Sequence, residues 1–118
     1  MALRPKTALT LWRDVNEGMV RDQEMDLSFR QVSILLTIYL DTPPHTVRGL
    51  ADRFGVTKPV ITRALDTMGK AGLVDRYRDE ADKRNVVISR TVEGALFVER
   101  LGDRVVARSE GLTRAVTR

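Results

Sequence analysis

Cysteine is absent from this 118-residue chain, which excludes disulfides, thiolate metal sites, zinc fingers and a thiol redox switch. The single histidine, His45, sits in a Pro-containing loop, and Ser28, Ser33, Ser89 and Ser109 lack a nucleophile-elbow context. Glycine-rich phosphate loops are missing, and the acids Asp79, Glu80 and Asp82 lack calcium-loop spacing and adjoin Lys83 and Arg84. No catalytic residue, metal ligand or cofactor-binding residue is assigned, and the chain is not expected to be an enzyme. Nowhere do 18 uncharged apolar residues follow one another, and MALRPKTALTLWRD sets charges and Pro5 before any apolar run. A soluble, cytoplasmic protein without membrane partners is the expectation.

With 42% hydrophobic residues there is enough apolar material for one core, so a single domain over 1–118 is expected. The formal net charge of +4 is unevenly placed. Residues 1–42 carry five Lys/Arg and six Asp/Glu, residues 43–90 carry ten and six, and residues 91–118 carry five and four. The surplus sits mid-chain, as a phosphate-facing surface requires.

Apolar residues Ala8, Trp12, Val15 and Met19 recur at helical spacing, predicting a first helix over 7–25. Ser28 opens the next, with Gln31 completing a capping box, and Val32, Leu35, Leu36, Tyr39 and Leu40 form its expected core face beside Ile34 and Ile38. Pro43 and Pro44 stop that helix, and one or two strand residues fit within 44–46. Thr46 caps a short helix carrying Val47, Leu50, Ala51 and Phe54, and Gly55 turns the chain into a helix capped by Thr57 and ended by Gly72. Leu73–Arg78 and Val86–Arg90 read as a hairpin around the polar loop 79–85. Thr91 caps a last helix over 91–110, with Val92, Ala95, Leu96, Leu101 and Val105 roughly on one side, interrupted by Gly102 and weakened by Gly111, and the remainder is expected to fray.

Two short helices across a Gly turn, then a hairpin, make a winged helix-turn-helix: mainly α with a small antiparallel β-hairpin. In the helix from Thr57 to Ala71, Val60, Ile61, Ala64, Leu65 and Met68 form the core stripe, leaving Lys58, Pro59, Thr62, Arg63 and Asp66 outward. Such a helix lies in the major groove of double-stranded DNA. Arg63 suits guanine O6 and N7, Thr62 a base or phosphate, and Pro59 a thymine methyl. Thr57 and Lys58, at the helix N-terminus, suit phosphates. The bland alternative is a solvated face with Arg63 and Asp66 paired at i, i+3. Arg84, at the hairpin tip, suits the narrow minor groove, although the loop's own charge is slightly negative. Arg48, Arg76, Arg78 and Lys83 complete the expected phosphate contacts.

The run LADRFGVTKPVITRALDTMGKAGL from Leu50 to Leu73, followed by Asp82-Lys83-Arg84, resembles the multiple antibiotic resistance regulator (MarR) family of bacterial transcription factors. Similarity extends more loosely over residues 28–101. The resemblance implies that Arg84 enters the minor groove, that Asp82 orients it by a salt bridge, and that Thr57 to Arg63 lie in the major groove. It also implies N- and C-terminal dimerisation helices, here Ala8–Val20 and Val92–Val106, and a homodimer that represses from a pseudo-palindromic operator. A small-molecule effector in the family's cleft is possible but unassigned. Trp12 and Tyr39 read as packing residues and His45 as a solvated loop residue. The rival readings are a winged helix used for protein contacts and a DNA-architectural or replication-control protein without a promoter role.

Overall fold

The computed structural model describes residues 3–22 and 24–117, with side chains through Leu112. Its elements run α1 (Pro5–Arg21), α2 (Phe29–Leu40), β1 (His45–Thr46), α3 (Val47–Phe54), α4 (Lys58–Lys70), β2 (Val74–Arg78), β3 (Val86–Arg90) and α5 (Val92–Thr117). The architecture is mainly helical with one small sheet. Residues 27–98 form one compact unit, and the chain before and after them forms a second.

In the second unit, α1 opens two residues earlier than the pattern suggests, because Pro5 occupies the first turn, where a missing N–H costs nothing. It stops at Arg21, with Asp22 as C-cap, short of the expected residue 25. Gln23, inside that expected helix, lies outside the described residues. Val15 and Gly18 are its buried positions. A Cβ on Gly18 would press on the Arg104 guanidinium, whose Nη2 pairs with Asp22 at 2.7 Å. Arg100 and Glu24 form a second ion pair at 3.4 Å. Trp12, read as a packing residue, is in fact exposed.

The first unit is built around α2. Ser28 accepts from the Gln31 amide at 3.1 Å and Gln31 Oε1 accepts from the Ser28 amide at 2.8 Å, the full capping box. Ile34, Leu35 and Ile38 are completely buried, each contributing roughly 1.5–3 kcal/mol relative to exposure. The buried face is rotated from expectation: Leu40 is 72% exposed. Thr37 turns inward instead, its hydroxyl satisfied by the Ser33 carbonyl at 2.8 Å. That intrahelical bond lets a polar residue occupy a core position at little desolvation cost.

β1 is the short strand the prolines permit, and the sheet order is β1-β3-β2, all antiparallel. His45 pairs with Ile88 in this sheet and is buried, donating from Nε2 to the Asp41 carbonyl at 3.1 Å, so it is not the solvated loop residue expected. Thr46 caps α3 through the Gly49 amide at 2.9 Å, and Gly55 leaves it at φ 63°. Along β2, Val74 is buried while Asp75, Arg76, Tyr77 and Arg78 are exposed, so this strand leaves the core after its first residue, whereas β3 keeps Ile88 buried.

Thr91 caps α5 as expected, accepting from the Gly94 amide at 2.9 Å. Its first turns bury Gly94 and Phe97, whereas Val92 and Leu96, on the apolar side picked out by spacing, are exposed. Gly102 and Gly111 do not interrupt the helix, which continues past residue 110 to Thr117. A glycine costs a helix only about 1 kcal/mol, which neighbouring turns absorb. Of the segment expected to fray, Arg118 lies outside the described residues.

Candidate nucleic-acid interface

Helix α4 separates its two faces cleanly. Ile61, Ala64, Leu65 and Met68 are buried with Val60 beside them, so the helix is anchored along one stripe. Lys58, Pro59, Thr62, Arg63 and Asp66 are all exposed. Thr57 holds the N-cap position, but its hydroxyl makes no cap bond, unlike that of Thr46. Its oxygen and the helix N-terminus therefore remain open toward solvent, where the partial positive charge of the first turn favours an anion.

The outward face is not an isolated charged surface. Asp66 pairs with Arg76 Nη2 at 2.7 Å, so its partner is a residue of β2 rather than the Arg63 one turn earlier. The strand register explains how Arg76 arrives there. Side chains alternate along β2, so Val74, Arg76 and Arg78 share one face. Val74 enters the core, Arg76 reaches α4, and Arg78 reaches the loop, where its Nη1 donates to the Lys83 carbonyl at 2.9 Å. Two of the expected phosphate contacts are thus engaged within the protein.

The loop closes by backbone bonds from the Asp79 amide to the Asn85 carbonyl (3.0 Å) and from the Asn85 amide to the Asp82 carbonyl (2.9 Å). Asp82 Oδ1 accepts from the Arg84 amide at 3.1 Å and from its Nε at 3.2 Å. The carboxylate thereby fixes both the backbone and the guanidinium of one residue, while the Arg84 side chain stays 90% exposed. Lys83 is exposed beside it.

The Arg84 side chain, then its amide, hold the Asp82 carboxyl below its ordinary value, and the charge of Arg48 on α3 adds to this. Arg48 therefore lies within electrostatic reach of the loop. Because the folded value lies below the unfolded one, the contribution is in place above the ordinary carboxylate range and is lost only as pH falls through the lowered value. Followed from neutral pH into acid, the Asp82 carboxyl-carbon chemical shift is expected to show its midpoint below the ordinary aspartate value, with the pair intact above it. A midpoint at or above the ordinary value would mean the pair is not formed.

The structure thus brings Thr57, Lys58, Pro59, Thr62 and Arg63 together on one open helix flank. It sets Asp82, Lys83 and Arg84 together at the hairpin tip, with the charge of Arg48 felt at Asp82. Arg76 and Arg78, though exposed, are each engaged in a contact within the protein. The pairing of Asp66 was missed: alternation along β2 puts Arg76 on the face of Val74, but only the lie of the hairpin across α4 brings it to Asp66. Among the described residues no group of three or more His, Cys, Asp or Glu could hold a metal ion, and no helix is long and apolar enough to cross a membrane.

Comparison with known proteins bears on this geometry. The MarR family sequence model matches residues 27–86, from the start of α2 into β3. The organic hydroperoxide resistance transcriptional regulator of Bacillus subtilis is 30% identical over 68% of this chain, and the HTH-type transcriptional regulator FarR of Neisseria gonorrhoeae is 32% identical over 58% of it. Those matches cover 54% and 47% of the two proteins, so this chain spans about half the length of each. The crystal structure of a MarR-family transcriptional regulator from Rhodococcus sp. RHA1 superposes with a TM-score of 0.65 at 26% identity, covering 88% of this chain and 71% of that one. The matched segment holds α3, the Gly55 turn, α4 and most of the hairpin, and by that match this chain belongs to the MarR family.

Proposed function

We propose that this protein is a sequence-specific double-stranded DNA-binding transcriptional regulator, acting in the cytoplasm as a homodimer that represses by occluding a promoter. The observation that carries this reading is the open flank of α4. Lys58, Pro59, Thr62 and Arg63 stand exposed on a helix whose opposite stripe is fully anchored, together with a hairpin tip whose Arg84 is held at its base and free at its end. A helix so presented offers side chains that read base edges, and the tip offers a cation for a narrow groove. Thr57 and Lys58 supply phosphate contacts at the helix N-terminus, and Arg48 and Lys83 supply them nearer the loop.

The homodimer is supported by apolar side chains left in solvent on the terminal helices. Leu9, Trp12 and Val20 on α1, and Val105 and Val106 on α5, are exposed, a poor arrangement for an isolated chain. A second copy related by two-fold symmetry would cover them and bring two α4 helices to one operator, which would then be two-fold symmetric. Native mass measurement at micromolar concentration should give twice 13.3 kDa. A monomer mass would remove the dimer from the proposal.

Selecting bound duplexes from a random pool tests the central reading. An enriched two-fold-symmetric motif is expected; a pool that stays random would favour a protein-contact module, and genomic sites away from promoters would favour an architectural role. Lys83→Ala is expected to weaken binding to all sequences alike and to reduce the slope of log affinity against log salt by about 0.9 per lost phosphate contact. An unchanged slope would take Lys83 off the phosphate.

A further inference from the structure

We infer that Arg76 serves DNA binding as a positioning residue, bracing the hairpin against α4 through Asp66, and does not contact a phosphate. The inference rests on the duplex-binding reading above and gives Arg76 a part other than the phosphate contact that charge counting suggests. Val74 is the last core residue of β2, and beyond it the strand runs exposed to the tip. Opposite Arg76 and Tyr77, β3 still pairs with β1 and buries Ile88, so the hairpin is a bare two-stranded ribbon, marginally stable by pairing alone, only from Arg78 and Val86 outward. Among the described residues, the Asp66–Arg76 contact at 2.7 Å, set just before that outer ribbon, is the one ion pair joining the hairpin to α4. The Arg76 side chain is 31% exposed, so most of its reach is spent against the protein rather than projected outward.

The consequence for recognition is geometric. Asp66 lies one helical turn beyond Arg63 and Thr62 on the same flank, so a tie at Asp66 relates the hairpin directly to the residues that face bases. Arg78, binding the Lys83 carbonyl at 2.9 Å, extends the same linkage to the tip that carries Arg84. Major-groove and minor-groove contacts then sit at a set distance before DNA arrives, which removes an ordering cost from association. Arg76 also neutralises a carboxylate that would otherwise face phosphates.

The two roles for Arg76 give opposite signs in one experiment. Asp66→Asn, Arg76→Gln and the double variant are titrated by fluorescence anisotropy against the selected duplex over a series of salt concentrations, with the unmodified protein alongside. As a brace, each single variant weakens binding about 3- to 10-fold with the salt slope unchanged, and the double variant is no weaker than either. If Arg76 instead contacts a phosphate and Asp66 merely competes for it, Asp66→Asn tightens binding and steepens the slope, while Arg76→Gln lowers the slope by about 0.9. That pattern overturns the inference.

Hydrogen exchange in the DNA-free protein separates this proposal from the DNA-binding reading. Amides of β2 and β3 beyond Val74 are expected to exchange faster in Asp66→Asn, whether or not the unmodified protein selects a duplex, and unchanged exchange overturns the brace. Failure of the unmodified protein to bind any selected duplex counts against the DNA-binding reading alone. Should Arg76→Gln not fold, Asp66→Asn, which alters one exposed helix residue without changing its size, decides the matter.

Discussion

Gly94→Ala is expected to destabilise the protein by about 3 kcal/mol or more, lowering the unfolding midpoint by something on the order of 10 °C. A Cβ at position 94 would run into the Tyr39 hydroxyl and the Leu73 carbonyl oxygen, neither of which can retreat freely. The hydroxyl donates to that carbonyl at 2.7 Å and accepts from the Thr91 amide at 3.0 Å. The Thr91 hydroxyl in turn donates to the Gly72 carbonyl at 2.6 Å and accepts from the Gly94 amide at 2.9 Å. One tyrosine thus ties α2 to the start of β2 and to the first turn of α5. Opening a gap for a methyl group either breaks these bonds, leaving part-buried polar groups unsatisfied, or displaces backbone.

Two comparisons make the Gly94 result specific. Tyr39→Phe removes the hydroxyl but neither the ring Cζ, 2.6 Å from the added Cβ, nor the Leu73 carbonyl, so adding it to Gly94→Ala should recover only part of the loss, a non-additive pair. At Gly102 no described atom lies within 4 Å of the place a Cβ would occupy, so Gly102→Ala should be neutral or stabilising by up to about 1 kcal/mol. Thermal unfolding of the three variants decides the matter. Equal midpoints for Gly94→Ala and the unmodified chain would mean that the contact around Tyr39 is not formed.

The elements that sequence reading located well are those specified by neighbours in the chain. The Ser28–Gln31 box, the Thr46 and Thr91 caps, the Gly55 turn and both hairpin strands depend on groups within a few residues of each other, and each appears where those residues place it. The phase of α2 was harder to read. In FRQVSILLTIYL most positions are apolar, so a 3.6-residue period fits more than one rotation, and the packing partners choose the one that exposes Leu40. Arg90 shows the same limit. Its guanidinium donates to the carbonyls of Ile38 and Asp41, 52 and 49 residues away, and lies 5.8 Å from the Tyr39 ring centroid, a structural use that charge counting cannot separate from DNA contact. Within the interface, the exposed flank of α4 was legible because a regular stripe of core residues fixes what faces away. The pairing of Asp66 was not, because it depends on how the hairpin lies across the helix.

The second large effect is expected at Arg63. Arg63→Ala should cost about 1–3 kcal/mol on the selected duplex and relax the preference at one base pair, with much smaller loss on unrelated DNA. Arg63→Lys should recover affinity only in part, because an ammonium lacks the planar fork that meets two acceptors on guanine. If two subunits bind two half-sites, each carries the substitution and the loss roughly doubles. Arg84→Ala should behave differently. The minor groove offers the tip a potential rather than a base code, so its loss should weaken binding and erase preference for A·T-rich sequence at the flank while the Arg63-dependent position stays sharp. Asp82→Asn, which keeps the size of the side chain but removes the charge that draws the Arg84 amide and Nε together, should reproduce part of that effect. Repeating the duplex selection with each variant reads all of these at once. If Arg63→Ala and Arg84→Ala lost affinity equally on every sequence, both would be phosphate contacts, and specificity would have to come from Lys58, Pro59 and Thr62 or from the shape of the DNA.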